Sequence, residues 1–138
     1  MSKLQVKTKH FLFIAAWEDD KAPKTCAALR KRMPFSGSLI QARWCGETAC
    51  VPTDHVSLAV DYENHTSYPS KGELLFYPGF MTESEILLPY GPAIFGTKIG
   101  LVAGNHFATI IDGWERLEEM GRMVHWQGSQ DVEFSEIT

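Results

Sequence analysis

Apolar positions along the chain fall into short runs separated by turn residues, and the spacing within the runs changes from strand-like to helix-like twice. Phe11 to Ala16 (FLFIAA) is apolar at every position, which predicts a short strand buried on both faces or closed inside a barrel. Lys24 to Met33 then reads as a helix, with Cys26, Leu29 and Met33 on one face, Pro23 in the first turn, acids at Glu18-Asp19-Asp20 before it and a solvated basic end at Arg30-Lys31-Arg32. From Ser38 onward, Leu39 to Trp44, Glu47 to Val51 and Val56 to Tyr62 read as antiparallel strands, the last alternating Val56, Leu58 and Val60 with more polar neighbours. The segment Glu63 to Gly72 is loop chemistry. Strands resume at Glu73 to Tyr77, Ile86 to Tyr90, Ile94 to Phe95 and Phe107 to Ile111. Gly113 ends that last run, and Trp114, Leu117, Met120, Gly121 and Val124 mark one side of a second helix, with Val132 and Phe134 left to supply a closing strand. Many short strands and two widely separated helices suggest a closed or nearly closed antiparallel barrel with helices capping its ends.

Composition narrows the class. With 138 residues, 44% hydrophobic and 22% charged, the chain suits one domain (residues 1–138) whose core needs no metal or disulfide staple. Thirteen Lys and Arg against 17 Asp and Glu leave a net charge of -4 and no basic block, which argues against a nucleic-acid partner. Three cysteines, Cys26, Cys45 and Cys50, in no metal-binding or framework spacing fit a reducing compartment. No leader pattern opens the sequence and no apolar stretch is long enough for a membrane span, so a soluble, cytoplasmic protein is expected.

Three segments in order resemble the cyclophilins. Asp20-Lys21-Ala22-Pro23-Lys24-Thr25, followed by Ala28-Leu29, looks like their first helix; Ser84-Glu85-Ile86-Leu87 falls where they carry Ser-Gln-Phe-Phe; and Gly104-Asn105-His106-Phe107 through Trp114 is similar to their Gly-Lys-His strand and the helix behind it. A bacterial group of short cyclophilin-like proteins, the domain-of-unknown-function 3830 family, is more similar still, through Gly72-Glu73-Leu74-Leu75-Phe76-Tyr77-Pro78-Gly79, Glu83-Ser84-Glu85-Ile86-Leu87-Leu88 and Gly104-Asn105-His106-Phe107. The resemblance implies an eight-stranded barrel capped by two helices. That family has no assigned reaction, so the likeness supplies no function by itself.

Carried onto this sequence, the resemblance implies that Arg43 occupies the place of the key cyclophilin arginine and His106 that of the active-site histidine, the two candidate catalytic residues. Glu85 replaces a glutamine, Leu87 a phenylalanine and Leu101 a tryptophan, so the proline cup is reduced. Pro78-Gly79-Phe80-Met81 spells a cyclophilin tetrapeptide on a different strand and is set aside. Arg43 could weaken a prolyl amide by hydrogen bonding, but losing large aromatics removes contact area, and a carboxylate at Glu85 would compete for the guanidinium.

The same changes suit a small polar ligand, with Trp44, Glu47, Glu73, Tyr77, Glu85, Leu87, Tyr90 and Asn105 as binding positions around one wall or mouth of the barrel. Each has a plainer reading: His106 satisfied within its strand, Arg43 and Glu85 as a structural ion pair, Tyr77 and Tyr90 as strand packing. His55, His65, Asp54 and Glu63 match no metal-ligand spacing, and Cys45 lacks a nucleophile signature, so no metal or cofactor is expected. Three functions follow: a barrel that binds or turns over a small metabolite, a peptidyl-prolyl isomerase acting on a short peptide with a reshaped cup, and a non-catalytic domain whose open edges pair with copies of itself.

Overall fold

The computed structural model describes residues 2–56 and 58–138. A hairpin of β1 (Lys3–Thr8) and β2 (Leu12–Trp17) leads into α1 (Pro23–Arg32) and β3 (Phe35–Gln41). A 3-10 turn at Arg43–Cys45 precedes β4 (Gly46–Pro52), the two-residue β5 (His65–Thr66), β6 (Glu73–Tyr77) and β7 (Glu85–Ala93). A small hairpin, β8 (Gly96–Thr97) and β9 (Gly100–Leu101), comes before β10 (Gly104–Asp112); a 3-10 turn at Trp114–Arg116, α2 (Leu117–Gln127) and β11 (Gln130–Ile137) complete the chain. Eight strands close a ring in the order β1, β11, β3, β4, β7, β6, β10, β2 and back to β1, every pairing antiparallel. Closure removes the open barrel edges on which the self-pairing idea rested. Among the described residues no helix is long and apolar enough to cross a membrane.

Alternation along each strand splits the buried residues into two groups. Phe13, Ala15, Ala49, Val51, Leu74, Phe76, Ile86, Leu88, Phe107 and Phe134 fill the main core, and α1 (Cys26, Leu29) and α2 (Leu117, Met120, Val124) pack against the same core. Their neighbours in sequence, Cys50, Leu75, Tyr77 and Leu87, turn to the opposite face and form a second cluster with Ala42, Cys45 and Phe95. Two glycines set the fit. Gly121 in α2 lies where any Cβ would run into the Tyr90 ring, and a Cβ on Gly104 would meet Leu75 and Phe95 at 2.9 Å.

Several elements depart from the sequence reading. No strand runs from Val56 to Tyr62 among the described residues, and Ser57 lies outside them. Val56 is buried and Leu58 and Val60 pack against the core, so the alternation marked burial correctly. The segment lacks a ladder because a side chain replaces it: Asn105 Nδ2 donates to the Asp61 carbonyl at 3.0 Å and Asn105 Oδ1 accepts from Glu63 N at 3.1 Å. The strand expected to reach Trp44 stops at Gln41, ahead of the 3-10 turn at Arg43–Cys45, and Ile94–Phe95 is irregular. Leu12 is exposed, so β2 is not buried on both faces. Trp114 lies in a 3-10 turn outside the buried stripe of α2, donating to the Lys71 carbonyl at 3.2 Å beneath the Lys71 ammonium.

The end of α1 is also less simple than a solvated basic tail. Arg30 makes a two-pronged pair with Asp19 at 2.6 and 2.9 Å, reaches Glu136 at 3.1 Å and lies over the Trp17 ring. That guanidinium holds the Asp19 carboxyl below the usual carboxylate range. At the other end, Glu63 Oε1 accepts from Thr25 N at 2.6 Å and Thr25 Oγ1 at 2.8 Å, placing a carboxylate at the helix N-terminus where the dipole favours it.

Candidate functional site

The 3-10 turn after β3 sends consecutive residues in three directions. Arg43 faces one cleft, Trp44 faces another, and Cys45 is buried between them in the second cluster. The tight turn is set by the switch from β3 to β4, with Cys45 N bonded to the Ala42 carbonyl at 2.9 Å and the Cys45 carbonyl accepting from Ile94 N at 2.9 Å.

The Trp44 cleft measures about 410 Å3 and is lined by Trp44, Thr82, Glu83, Glu85, Thr97 and Lys98. Glu85 opens β7, opposite Tyr77 on one side and Pro52 on the other. Its position is pinned by the residue before it: Ser84 N and Ser84 Oγ both donate to Asp54 Oδ1 at 3.0 Å, and Thr53 N donates to the Ser84 carbonyl at 3.0 Å. Glu85 Oε1 is buried without a hydrogen-bond partner. Burial pushes the carboxyl up to about 7, the Glu83 charge adds to the rise, and the neighbouring Cys50 thiol opposes it. Lys98 pairs with Glu83 at 3.5 Å across the rim, leaving Glu85 unpaired. No Arg43–Glu85 ion pair forms among the described residues.

The second cleft, about 200 Å3, lies between the barrel wall and α2, where Arg43, Glu47 and Tyr90 meet Arg122, His125 and Trp126. Tyr90 donates to Gln41 Oε1 at 2.9 Å, and its hydroxyl is held above its ordinary value chiefly by burial. Of the residues singled out in sequence, three therefore gather here and two, Trp44 and Glu85, gather in the first cleft.

The others lie elsewhere. His106 Nε2 bonds Thr109 Oγ1 at 2.7 Å, Thr109 Oγ1 donates to Glu18 Oε2 at 2.9 Å, and His106 Nδ1 is 4.0 Å from Glu73 Oε2. Because the threonine hydroxyl gives its proton to Glu18, the imidazole donates from Nε2. Glu73 Oε1 caps its own turn by accepting from Ser70 N at 2.7 Å. A register shift between His106 and Ala108 carries this line of groups along the strand. Asn105 is fully buried in the bonds that hold the 61–63 segment and in a third to Thr25 Oγ1 at 3.0 Å. Tyr77 and Leu87 are buried in the second cluster; the Tyr77 hydroxyl accepts from Met81 N at 3.0 Å, and Phe95 meets its ring edge-on at 5.9 Å. Phe95 thus fills the outer face beside Leu87, where the resemblance puts the proline cup.

The alternative metal residues also separate. Asp54 holds Ser84, His55 Nε2 bonds the Ser36 carbonyl at 2.7 Å, Glu63 caps α1 and His65 stacks on Tyr62. Among the described residues no three His, Cys, Asp or Glu side chains are grouped to hold a metal ion. Cys45 Sγ donates to the Gly96 carbonyl at 3.1 Å and accepts from Gly96 N at 3.3 Å, and burial pushes this thiol up. A thiol so held is a poor nucleophile. The residues that sequence reading missed are Thr82, Glu83, Thr97 and Lys98 around the first cleft and Arg122, His125 and Trp126 on α2. The last three stand at helical spacing i, i+3, i+4, a polar and aromatic face opposite the apolar stripe, and that spacing was legible.

Comparison with known proteins agrees on the fold. The chain is similar to McbB solved in complex with tryptophan (TM-score 0.75, 12% identity, 96% of this chain and 44% of that one) and to the hypothetical protein AF2241 from Archaeoglobus fulgidus (0.65, 18%, 96% and 92%). It is also similar to a cyclophilin-type peptidyl-prolyl isomerase of Cryptosporidium parvum solved in the presence of the dipeptide Ala-Pro (0.60, 10%, 98% and 97%). The chain spans less than half the length of McbB. None of the curated proteins matches it. The barrel is cyclophilin-like, and a family model covers residues 4–136. The chain belongs to the family described as protein of unknown function (DUF3830).

Proposed function

We propose that the protein binds a small polar metabolite in the Trp44 cleft, with Glu85 as the acceptor of a ligand hydrogen bond and the group that takes up a proton there. The single observation that carries this reading is the buried Glu85 Oε1 without a partner at a cleft of metabolite size. A carboxylate desolvated to a pKa of about 7 is poised for proton transfer near neutral pH, the condition a general base needs. Trp44, 59% exposed, offers a flat apolar wall against which a ring or planar amide can lie.

The ligands named for two structural neighbours, tryptophan and Ala-Pro, are the first probes, followed by small amides and hydroxy acids. Thermal unfolding of the full chain is expected to shift upward with at least one probe, by an amount equivalent to about 2.7 kcal/mol at a hundredfold excess over Kd. Glu85→Gln should lose that shift. No response from any probe, or an equal response from Glu85→Gln, defeats the proposal.

No observation favours the peptide isomerase. The register His106, Leu75, Leu87, Cys50 sets His106 three strands along the wall from β4, where it lines neither cleft, whereas Arg43 lines the cleft against α2. A coupled assay on a proline tetrapeptide is expected to give no rate above the uncatalysed exchange, which takes tens to hundreds of seconds.

A further inference from the structure

The cleft between the barrel wall and α2 contains charges of both signs that leave each other unpaired. Arg43 forms no ion pair among the described residues, and Glu47, half-buried beside Gly91, forms none either. Both act on the Tyr90 hydroxyl between them, the carboxylate in one direction and the guanidinium in the other. From α2, Arg122 joins with two exposed acidic neighbours on its own helix, Glu118 at 3.9 Å and Glu119, whose carboxyl it helps to hold down. His125 Nδ1 is buried with no partner, and so is Gln41 Nε2 behind Tyr90. Two separated guanidiniums, an orphaned imidazole nitrogen and one carboxylate around a tyrosine form a two-signed pattern. A plain anion would meet repulsion from Glu47, and a plain cation would meet the arginines.

We propose that this cleft is a second, separate binding site for a small zwitterion of the α-amino-acid class, its carboxylate on Arg43 and Arg122, its ammonium on Glu47 and its side chain against Trp126. Guanidinium binds a carboxylate with two parallel hydrogen bonds, and an ammonium beside a carboxylate gains a charge-assisted one. The volume of about 200 Å3 equals the share of roughly seven liquid waters, room for a small or medium amino acid. Trp126 is 78% exposed, lines the cleft and stands at a right angle to the His125 ring at 4.4 Å, an apolar surface for the side chain of the ligand. The site does not depend on Glu85.

Calorimetric titration of the full chain at pH 7 with glycine, L-alanine, L-valine and L-leucine tests this, with propionate and ethylamine as the two half-molecules. At least one amino acid is expected to bind with a millimolar or tighter Kd, and each half-molecule at least about tenfold more weakly. Arg43→Gln and Glu47→Gln should each weaken that binding about tenfold or more, while Glu85→Gln leaves it unchanged. Arg43 is exposed and Glu47 half-buried, and an unchanged melting curve will show that each variant is folded. If propionate binds as tightly as alanine and Glu47→Gln has no effect, the site is a simple anion site and the proposal is overturned. Absence of saturation by every amino acid overturns it as well. Loss of amino-acid binding in Glu85→Gln would assign the event to the other cleft and overturn it too.

Discussion

Asn105 and Glu85 stand on two strands of the same barrel, both with buried polar side-chain atoms, yet their surroundings are opposite in kind. Asn105 has its acceptor filled by Glu63 N and both donor directions filled by Thr25 Oγ1 and the Asp61 carbonyl. Glu85 has one buried oxygen without a hydrogen-bond partner, a carboxyl whose neighbour is the Cys50 thiol, and a place in the lining of a cleft. Burial of a polar group therefore does not by itself mark a site. The satisfied amide holds the 61–63 segment and the start of α1, whereas the unsatisfied carboxylate lowers stability and leaves an interaction open to a ligand.

The largest effect that can break this contrast is on Asn105. Asn105→Ala removes three hydrogen bonds of a fully buried amide, one of them wholly buried and two partly, and leaves their partners unmet, so unfolding in urea should show a loss of about 3 kcal/mol. A loss below about 1 kcal/mol would mean that the amide is not structural. Glu85→Gln should act in the opposite direction. Burial holds Glu85 at about 7 against 4.5 for an ordinary glutamate, so the native state keeps a proton that the unfolded chain releases. Stability then falls as pH rises from about 4.5 to about 7 and stays at the lower level above. Allowing for the solvent that reaches the group, Glu85→Gln should gain about 2 kcal/mol at pH 8, little at pH 4, and flatten that part of the profile. An unchanged slope between those pH values would show that Glu85 is hydrated and the contrast false. Trp44→Ala is the smallest: its stability should stay within about 0.5 kcal/mol of the parent, because the ring is exposed, while the ligand-induced thermal shift is lost.

Much of the barrel was legible where a strand's own residues declare it. Glu73 to Tyr77 is read with its observed bounds, and Ile86 to Tyr90 lies wholly inside β7, because these runs are buried on both faces and flanked by turn residues. The first helix was found within one residue at each end, through Pro23 and the apolar spacing. Val56 to Tyr62 misled because alternation reports burial, and burial here comes without a neighbouring strand. β1 escaped notice although Leu4, Val6 and Thr8 alternate with exposed or half-exposed neighbours. The site was legible only by residue type. Arg43 and Trp44 are adjacent in sequence, and nothing in that dipeptide says that a 3-10 turn will send them to different clefts. The family resemblance grouped Arg43, Glu85 and His106 as cyclophilins do, and only the strand register reveals the spacing between them.

Phe95 gives the outer face a further meaning. Its ring is fully buried against Tyr77, and its backbone is tied at both polar groups, the N–H to the Ser67 carbonyl at 2.8 Å and the carbonyl to Val102 N at 3.1 Å. A side chain tethered by its own backbone competes as an intramolecular ligand, at an effective concentration of millimolar or more that dilution never lowers. Any free peptide offering a proline or aromatic ring to that surface must first displace this resident guest and break its two backbone bonds. On this face the place that the family resemblance gives to a ligand's ring is taken by a residue of the chain itself.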